Sequence, residues 1–121
     1  MSVAYHDSPS ARSPMTVAQT AYNLNAFAEG RFMLGLGSQV KAHITRRFSM
    51  PWSHPAPRMR EFILALHAIW DSWAEGTKLD FRGDFYEHTL MTPFFDPGPN
   101  QFGAPCGLGP GLKNGVISVW V

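Results

Sequence analysis

The sequence is poor in cysteine, in charge of one sign and in long apolar runs, and each absence excludes a class of protein. Its single cysteine, Cys106, cannot build an intramolecular disulfide framework. No segment has the charged start and apolar core of a signal peptide, or the roughly 18 apolar residues of a membrane span. A formal net charge of +1, without a run of like charges, gives no electrostatic footprint for nucleic acid or an anionic membrane. We therefore expect a cytoplasmic protein that binds neither nucleic acid nor membranes.

Motifs for metals and for the common phosphate-binding loops are also missing. The histidines are widely and irregularly spaced, and no cysteine pair or His–Glu spacing typical of zinc accompanies them. Gly35 and Gly37 lack the third glycine of a dinucleotide fingerprint, and no Gly-Lys-Ser/Thr completes a P-loop. We expect no metal site and neither of these two nucleotide-binding motifs.

The chain does contain enough apolar sequence, 45%, for one folded core. Ser13 followed by Pro14 predicts a helix start, because serine caps helices and proline fits the first helical position. An apolar stripe follows, and Gly30 ends the helix. Residues 32–36 form a short apolar run without polar alternation, which predicts a strand covered on both faces. Gly37 then opens a loop, so the chain contains an α/β step.

A second and stronger helical pattern follows. Residues 40–48 predict a loop that contains a short helix, and the prolines of residues 49–57 predict an irregular but stiff connection. From Pro57 to Gly76 large apolar side chains recur at helical spacing: Met59, Phe62, Ile63, Leu66, Ile69, Trp70 and Trp73. Because burial of large apolar side chains drives folding, this helix is expected to contribute most of the core.

The remaining segments carry weaker signals. Residues 79–88 alternate apolar and polar side chains around a Gly-Asp turn, which predicts a hairpin. Prolines and glycines fill residues 92–115, so this stretch is predicted to be irregular, and residues 116–121 predict a final strand. Residues 1–12 mix a short apolar stretch with turn-forming residues and stay unassigned.

Four motifs, in this order, resemble one protein family. They are residues 28–38 (Ala-Glu-Gly-Arg-Phe-Met-Leu-Gly-Leu-Gly-Ser), residues 58–61 (Arg-Met-Arg-Glu), Ile69-Trp70, and residues 81–86 (Phe-Arg-Gly-Asp-Phe-Tyr). Together they resemble the luciferase-like monooxygenase superfamily, and specifically its deazaflavin-dependent oxidoreductases, which use coenzyme F420. The resemblance runs from about residue 11 to about residue 105.

The resemblance implies an α/β fold that is a fragment of a TIM (β/α)8 barrel. By family order the fragment runs from about helix 3, through strand 4 and helix 4, to the approach to strand 5, and an irregular C-terminal tail follows. We accordingly expect a partial barrel domain over residues 11–105 and a divergent tail over residues 106–121. A complete barrel needs about 250 residues. We therefore interpret the chain as truncated or frame-disrupted.

The resemblance also implies a cofactor at the carboxyl ends of the strands. Gly37, Ser38 and Gln39 would approach the ring or ribityl chain of coenzyme F420, or of FMN as the alternative, because glycine admits close approach and the polar side chains offer hydrogen bonds. His43 would contact the side chain of the cofactor. The alternatives are that Gly37 only turns the strand and that His43 is a solvated loop residue. Val40 stands where related dehydrogenases carry an acid, so the catalytic residue is left unknown.

Two functions of different class follow from these observations. In the first, the chain derives from an oxidoreductase that passes hydride between a flavin or deazaflavin and a small organic substrate, or that monooxygenates such a substrate. Lys41, Arg46 and Arg47 would then attract the phosphate and glutamate tail of the cofactor, or else form a solvated helix face. In the second, the chain is a non-catalytic barrel fragment that survives alone or pairs with another chain, such as a second copy. The sequence leaves open whether this chain is an enzyme.

Overall fold

The computed structural model describes residues 3–7, 12–99 and 117–120. In chain order the elements are strand β1 (Val3–Asp7), helix α1 (Pro14–Phe27), strand β2 (Phe32–Gly37), a π-helix (His43–Arg47), helix α2 (Pro55–Glu75), and strands β3 (Phe81–Arg82), β4 (Glu87–His88) and β5 (Ile117–Trp120). Neither α-helix in these ranges is both long and apolar enough to cross a bilayer.

The main sheet has three parallel strands in the order β1–β2–β5, so β2 lies in the centre. Leu34 of β2 is in register with Tyr5 on one side and with Ile117 on the other. Helix α1 connects β1 to β2, and α2 lies between β2 and β5 in the chain. The indole Nε1–H of Trp70 in α2 donates to the carbonyl oxygen of Ala18 in α1 at 3.2 Å. The two helices therefore pack side by side.

Strand β2 is covered by helices on one face only. Phe32, Leu34 and Leu36 are fully buried and share one core with α1 and α2, whereas the alternate residues Met33 and Gly35 are half-buried. The prediction that this strand is covered on both faces is therefore confirmed for one face, whereas the other face is covered only in part. The physical reason is that α1 and α2 pack on the same side of the sheet.

This winding occurs in a barrel and also within each βαβαβ half of a doubly wound sheet. In a doubly wound sheet the strand order reverses and helices cover both faces, whereas in a barrel each new strand is added beside the last and all helices lie outside. Here the strands follow chain order and both helices share a face. The arrangement is consistent with part of a barrel, although three strands do not close one.

Helix α1 begins as the sequence predicts and ends in a tight turn. The Ser13 side chain accepts a hydrogen bond from the backbone N–H of Thr16 at 3.2 Å, and a proline occupies the first helical position. At the other end Glu29 and Gly30 both have left-handed φ angles, of 54° and 81°. The Gly30 N–H donates to the Asn25 carbonyl oxygen at 2.9 Å, which closes the turn and directs the chain into β2.

Helix α2 starts earlier than predicted. It begins at Pro55, inside residues 49–57, for which irregular structure was predicted. That part of the prediction was wrong because the first helical turn leaves its N–H groups unpaired, so prolines there lose no hydrogen bond. Gly76 ends the helix with a φ of 67°, as predicted. The predicted core side chains are buried except Ile63, which is half-buried against the same core.

The outcome for the remaining segments is mixed. The predicted hairpin is confirmed, because β3 and β4 pair antiparallel with Phe81 opposite His88. The short helix predicted within residues 40–48 is the π-helix, and β5 confirms the predicted final strand. Strand β1 lies in the stretch that the sequence left unassigned. Residues 92–99 hold neither helix nor strand, and the rest of the predicted irregular segment, with Cys106, lies outside the described residues.

Two partly buried histidines make the stability of the fold depend on pH. Burial lowers the pKa of His88, whose Nε2 is buried without a partner among the described residues. Burial also lowers the pKa of His67, and Asp71 partly offsets that effect. A histidine with a lower pKa in the folded state binds fewer protons when folded than when unfolded. The free energy of unfolding therefore falls as the pH drops below about 6.5.

We expect this fall in urea unfolding curves recorded between about pH 7.5 and about pH 5.5. The variant His88→Asn should show a shallower pH dependence, because one of the two histidines with a lowered pKa is gone. The variant His43→Asn, at an exposed position, is the matched control and should keep the wild-type slope. Equal slopes in the wild type and His88→Asn would contradict a lowered pKa of His88 in the folded state.

Candidate functional site

The carboxyl end of β2 forms the centre of the candidate site. Gly37 ends the strand and is buried, Ser38 is half-buried, and Gln39 is exposed with a left-handed φ of 58°. Since β2 is the central strand of a parallel sheet, this end lies at the edge where α/β proteins bind ligands. A hydroxyl and an amide side chain therefore follow directly after a buried glycine at that edge.

The loop between β2 and α2 stores backbone strain. Gln39, Ser49 and His54 have φ angles of 58°, 55° and 40°, in a region that non-glycine residues disfavour. Each such residue costs on the order of 1–3 kcal/mol, and such residues cluster at ligand-binding and active sites. Residue types alone do not predict this strain, because none of the three residues is a glycine. The strain at these three residues marks residues 38–54 as a candidate functional loop.

The π-helix places His43 beside two arginines. His43 begins the π-helix and is exposed, and a shallow depression of about 300 Å³ opens there, lined by Ala42, His43, Arg46 and Arg47. π-helical turns are frequent at functional sites. The structure thus brings together His43 and two of the three predicted cationic residues. Lys41 is exposed but does not line the depression, and neither do Gly37, Ser38 and Gln39.

The depression is positively charged and unneutralised. Arg46 and Arg47 are exposed and form no ion pair with a described residue, and the Arg47 guanidinium lies 5.4 Å from the ring centroid of Phe48. Between Glu29 and Glu61 the sequence contains no acidic residue. This gap is the signal that sequence reasoning missed, because the whole-chain charge of +1 hides it. A local excess of cations without carboxylates favours an anionic ligand.

A buried carboxylate joins two of the sequence motifs near the same edge. Glu61 is 9% exposed, and its carboxylate accepts hydrogen bonds from the backbone N–H groups of Asp84, Phe85 and Tyr86 at 2.5, 2.5 and 2.7 Å. A Cβ atom on Gly83 would overlap this carboxylate, so a side chain at position 83 would displace Glu61 from the loop. Glu61 therefore fixes the hairpin loop to α2 at three backbone positions.

Arg58 ties the same hairpin loop to the start of α2. Its guanidinium donates to the Ser53 carbonyl oxygen at 3.2 Å, to Ser53 Oγ at 2.5 Å and to the Tyr86 hydroxyl at 3.4 Å. The Arg58 guanidinium also lies 4.7 Å from the ring centroid of Phe85. The centroid of the His54 ring lies 5.7 Å from the same Phe85 centroid. Because β2 and β5 are parallel, α2 runs from the carboxyl edge of the sheet back to the opposite edge. The N-terminal end of α2, and the hairpin loop bound to it, therefore lie on the carboxyl side of the sheet.

Comparison with known proteins identifies the family. The family model that describes luciferase-like monooxygenases matches residues 6–119. This chain belongs to the luciferase-like monooxygenase family. It is also similar to proteins named only as uncharacterized, one from Mycobacterium bovis and one from each of two Mycobacterium tuberculosis strains, at 55% identity over 95 residues. The matched region is 78% of this chain, and the chain spans 28% of the length of these curated relatives.

This family membership confirms the resemblance at the level of the family. It also implies the TIM barrel fold, and the observed strand order is consistent with that fold. Members of this family typically use a flavin or coenzyme F420. The chemistry of the residues at the carboxyl edge fits such a group, because Ser38 and Gln39 offer hydrogen bonds and Arg46 and Arg47 suit a phosphate. Among the described residues, no three His, Cys, Asp or Glu side chains are grouped as metal ligands.

Proposed function

We propose that the chain contributes part of a cofactor site to an oxidoreductase that uses coenzyme F420, with FMN as the alternative cofactor. The reaction would be hydride transfer to or from a small organic substrate, or its monooxygenation. The single observation that supports this proposal most strongly is the unneutralised cationic depression on the loop that follows the central parallel strand. When bound, the cofactor supplies the hydride chemistry, and the residues of this chain bind and orient it.

The first part of the proposed site is the turn after β2. Glycine at position 37 adds no side chain at the carboxyl edge, which leaves the backbone of Ser38 and Gln39 open to a flat ring. The Ser38 hydroxyl and the Gln39 amide can each donate and accept hydrogen bonds, which suits the alternating donors and acceptors of a flavin-like ring edge. Gln39 has a left-handed conformation, which sets the direction of the chain at this point.

The second part of the proposed site is the depression formed by the π-helix. His43, Arg46 and Arg47 line it and would hold the phosphate of either cofactor through charge-assisted hydrogen bonds. Coenzyme F420 carries further carboxylates on its glutamate tail, whereas FMN has only its phosphate. Because no acidic residue lies between Glu29 and Glu61, the longer anionic tail gains more from this surface, which favours coenzyme F420.

No residue of this chain is proposed as a catalytic acid or base. The position that carries an acid in related dehydrogenases is Val40, which is 59% exposed and cannot exchange a proton. The chain is therefore proposed to act by binding and orientation at this loop.

A second candidate function is that of a non-catalytic barrel fragment. It is favoured by the half-buried face of β2 and by the outer edges of β1 and β5, which pair with no other described strand. Open strand edges and uncovered apolar faces promote pairing with other chains. In this alternative the chain persists by association, either with a second copy or with another polypeptide, and binds no redox cofactor by itself.

The test is a titration of the 121-residue chain with coenzyme F420 and with FMN, followed by fluorescence, at low and at moderate salt. We expect the double variant Arg46→Gln with Arg47→Gln to bind coenzyme F420 about tenfold more weakly, since two charge-assisted contacts are lost. The affinity for F420 should also fall more steeply with salt than that for FMN.

The variant Arg60→Gln is the matched control, because Arg60 is also exposed but lies outside the depression. It should bind both cofactors as the wild type does. Equal affinities in the wild type and the double variant would remove the depression from the site. Absence of binding to either cofactor by a cooperatively folding wild type would favour the fragment.

A further inference from the structure

A depression of about 220 Å³ opens on the surface of the helical layer, away from the loop that follows β2. It is lined by residues of α1, of α2 and of the segment after the hairpin: Gln19, Tyr22, Asn23, Trp73, Phe95 and Pro97. The Tyr22 ring packs edge-on against the Trp73 ring, with centroids 5.6 Å apart, and the Tyr22 hydroxyl donates to the Pro97 carbonyl oxygen at 3.2 Å. These contacts fasten the segment after the hairpin to the helices, so the depression is preformed.

Two exposed phenylalanines stand beside this depression. Phe94 is 89% exposed and Phe95 is 65% exposed, and their rings meet edge-on with centroids 5.0 Å apart. A turn holds the pair, since the N–H groups of Phe95 and Asp96 donate to the Thr92 carbonyl oxygen at 3.0 and 3.1 Å. Because Phe95 lines the depression, the ring of Phe94 lies next to its rim. A protruding apolar side chain and an apolar recess are therefore neighbours on one surface.

A third exposed phenylalanine extends the same surface along α1. Gln19 and Asn23 line the depression, and Phe27 follows at the same spacing of four residues, so it lies on the same stripe of the helix. Phe27 is 90% exposed. At about 150–250 Å² for a whole phenylalanine, the three rings together leave roughly 350–600 Å² of apolar surface in water. That area is at the upper end of what monomeric proteins expose. We call Phe27, Phe94, Phe95 and the depression the aromatic face.

The charge of the aromatic face favours a second copy of this chain as its occupant. In a two-fold contact the same patch faces itself, so any charge in the patch meets its own sign. None of the described residues that line the depression is charged, and the amides of Gln19 and Asn23 can donate and accept hydrogen bonds across such a contact. The neighbouring Asp96 is engaged in its own turn, where its carboxylate accepts the Gly98 N–H at 2.8 Å. The patch is therefore compatible with facing itself.

The shape of the aromatic face favours the same occupant. A two-fold contact pairs a protruding group of one copy with a recess in the same surface of the other. An apolar cavity of about 150 Å³ accommodates benzene. The depression, at about 220 Å³, is large enough for the phenyl ring of Phe94. The protruding side chain and the recess therefore match in size and in chemistry.

We propose that two copies of this chain associate through the aromatic face, with Phe94 of each copy in the depression of the other. Burial of the three phenylalanines on both copies removes roughly 700–1,200 Å² from water, which is at or below the lower limit of standard protein interfaces. The dimer is accordingly weak, with a dissociation constant in the micromolar range or above. The contact uses the helical layer and not the open edges of β1 and β5. It does not depend on the cofactor or on the activity proposed above.

Sedimentation velocity of the 121-residue chain measures this association, over concentrations from about 5 µM to about 500 µM. We expect the wild type to shift from monomer to dimer as the concentration rises. Phe94→Ser should raise the dissociation constant about tenfold or more, because the side chain that fills the recess is lost. Since Phe94 is 89% exposed, this variant keeps the fold. Phe48→Ser is the matched control, because it removes an exposed phenylalanine from the loop after β2, and it should dimerise as the wild type does.

A mixture of ¹³C-labelled and unlabelled chains identifies the contact. We expect intermolecular NOEs between the Phe94 ring of one copy and the Tyr22 and Trp73 rings of the other. A wild type that stays monomeric over the whole concentration range would overturn the proposal. So would a Phe94→Ser variant that dimerises as strongly as the wild type, which would assign the association to another surface, such as the strand edges.

Discussion

Replacing Glu61 with glutamine is expected to lower the free energy of unfolding by about 2–4 kcal/mol. The carboxylate accepts three backbone N–H groups from the hairpin loop, and hydrogen bonds to a charged acceptor are the stronger kind. Glutamine keeps one acceptor oxygen but turns an NH₂ group toward backbone donors. At least one N–H then loses its acceptor, and the attachment of the loop to α2 through residue 61 is weakened.

Chemical denaturation of the wild type and the variant measures this effect. Glu75→Gln is the matched control, since it makes the same change at an exposed position of the same helix. The control should stay within about 0.5 kcal/mol of the wild type. If Glu61→Gln were as stable as Glu75→Gln, the carboxylate would not be what fixes the hairpin.

Replacing Trp70 with alanine is expected to cost about 3–5 kcal/mol. Trp70 is 3% exposed, packs in the core shared by both helices, and donates its indole N–H to the Ala18 carbonyl oxygen of α1. Alanine leaves a cavity at the contact between α1 and α2. It also leaves that carbonyl oxygen without this donor.

Thermal and urea unfolding of Trp70→Ala, compared with Trp70→Phe, separates the two contributions. Phenylalanine fills most of the volume but has no N–H, so its cost reports the loss of the hydrogen bond with little cavity. We expect Trp70→Phe to lose clearly less stability than Trp70→Ala. A near-neutral effect of Trp70→Ala would contradict the packing of α1 on α2.

The elements that could be predicted from the sequence are those with local signals. Ser13 and Gly30 mark the ends of the first helix region, and Gly76 marks the end of the second, because caps and left-handed turns depend on a few adjacent residues. Strand β1 could not be predicted in this way, since its pairing partner is β2, which is separated from it by all of α1. Helix α2 starts earlier than predicted, because proline disrupts a helix interior but fits the first helical turn.

In the candidate site, too, only the features with local signals could be predicted from the sequence. Gly37, Ser38 and Gln39 follow the central strand at its carboxyl edge, as their position after an apolar run predicted, and their cofactor role stays a proposal. The partners of Glu61 could not be predicted, because they are backbone N–H groups 23 to 25 residues away. The sequence contained one usable signal, a glutamate on the apolar side of α2 directly before Phe62.

The most direct test of the cofactor proposal is to map coenzyme F420 onto the ¹⁵N-labelled chain by chemical-shift perturbation. The proposal predicts that the resonances of Gly37, Ser38, Gln39 and His43 shift together on titration, and that Arg60 and the exposed end of α2 at Glu75 do not respond. Perturbations confined to other surfaces, or none at all in a folded chain, would contradict a cofactor site at the carboxyl end of β2.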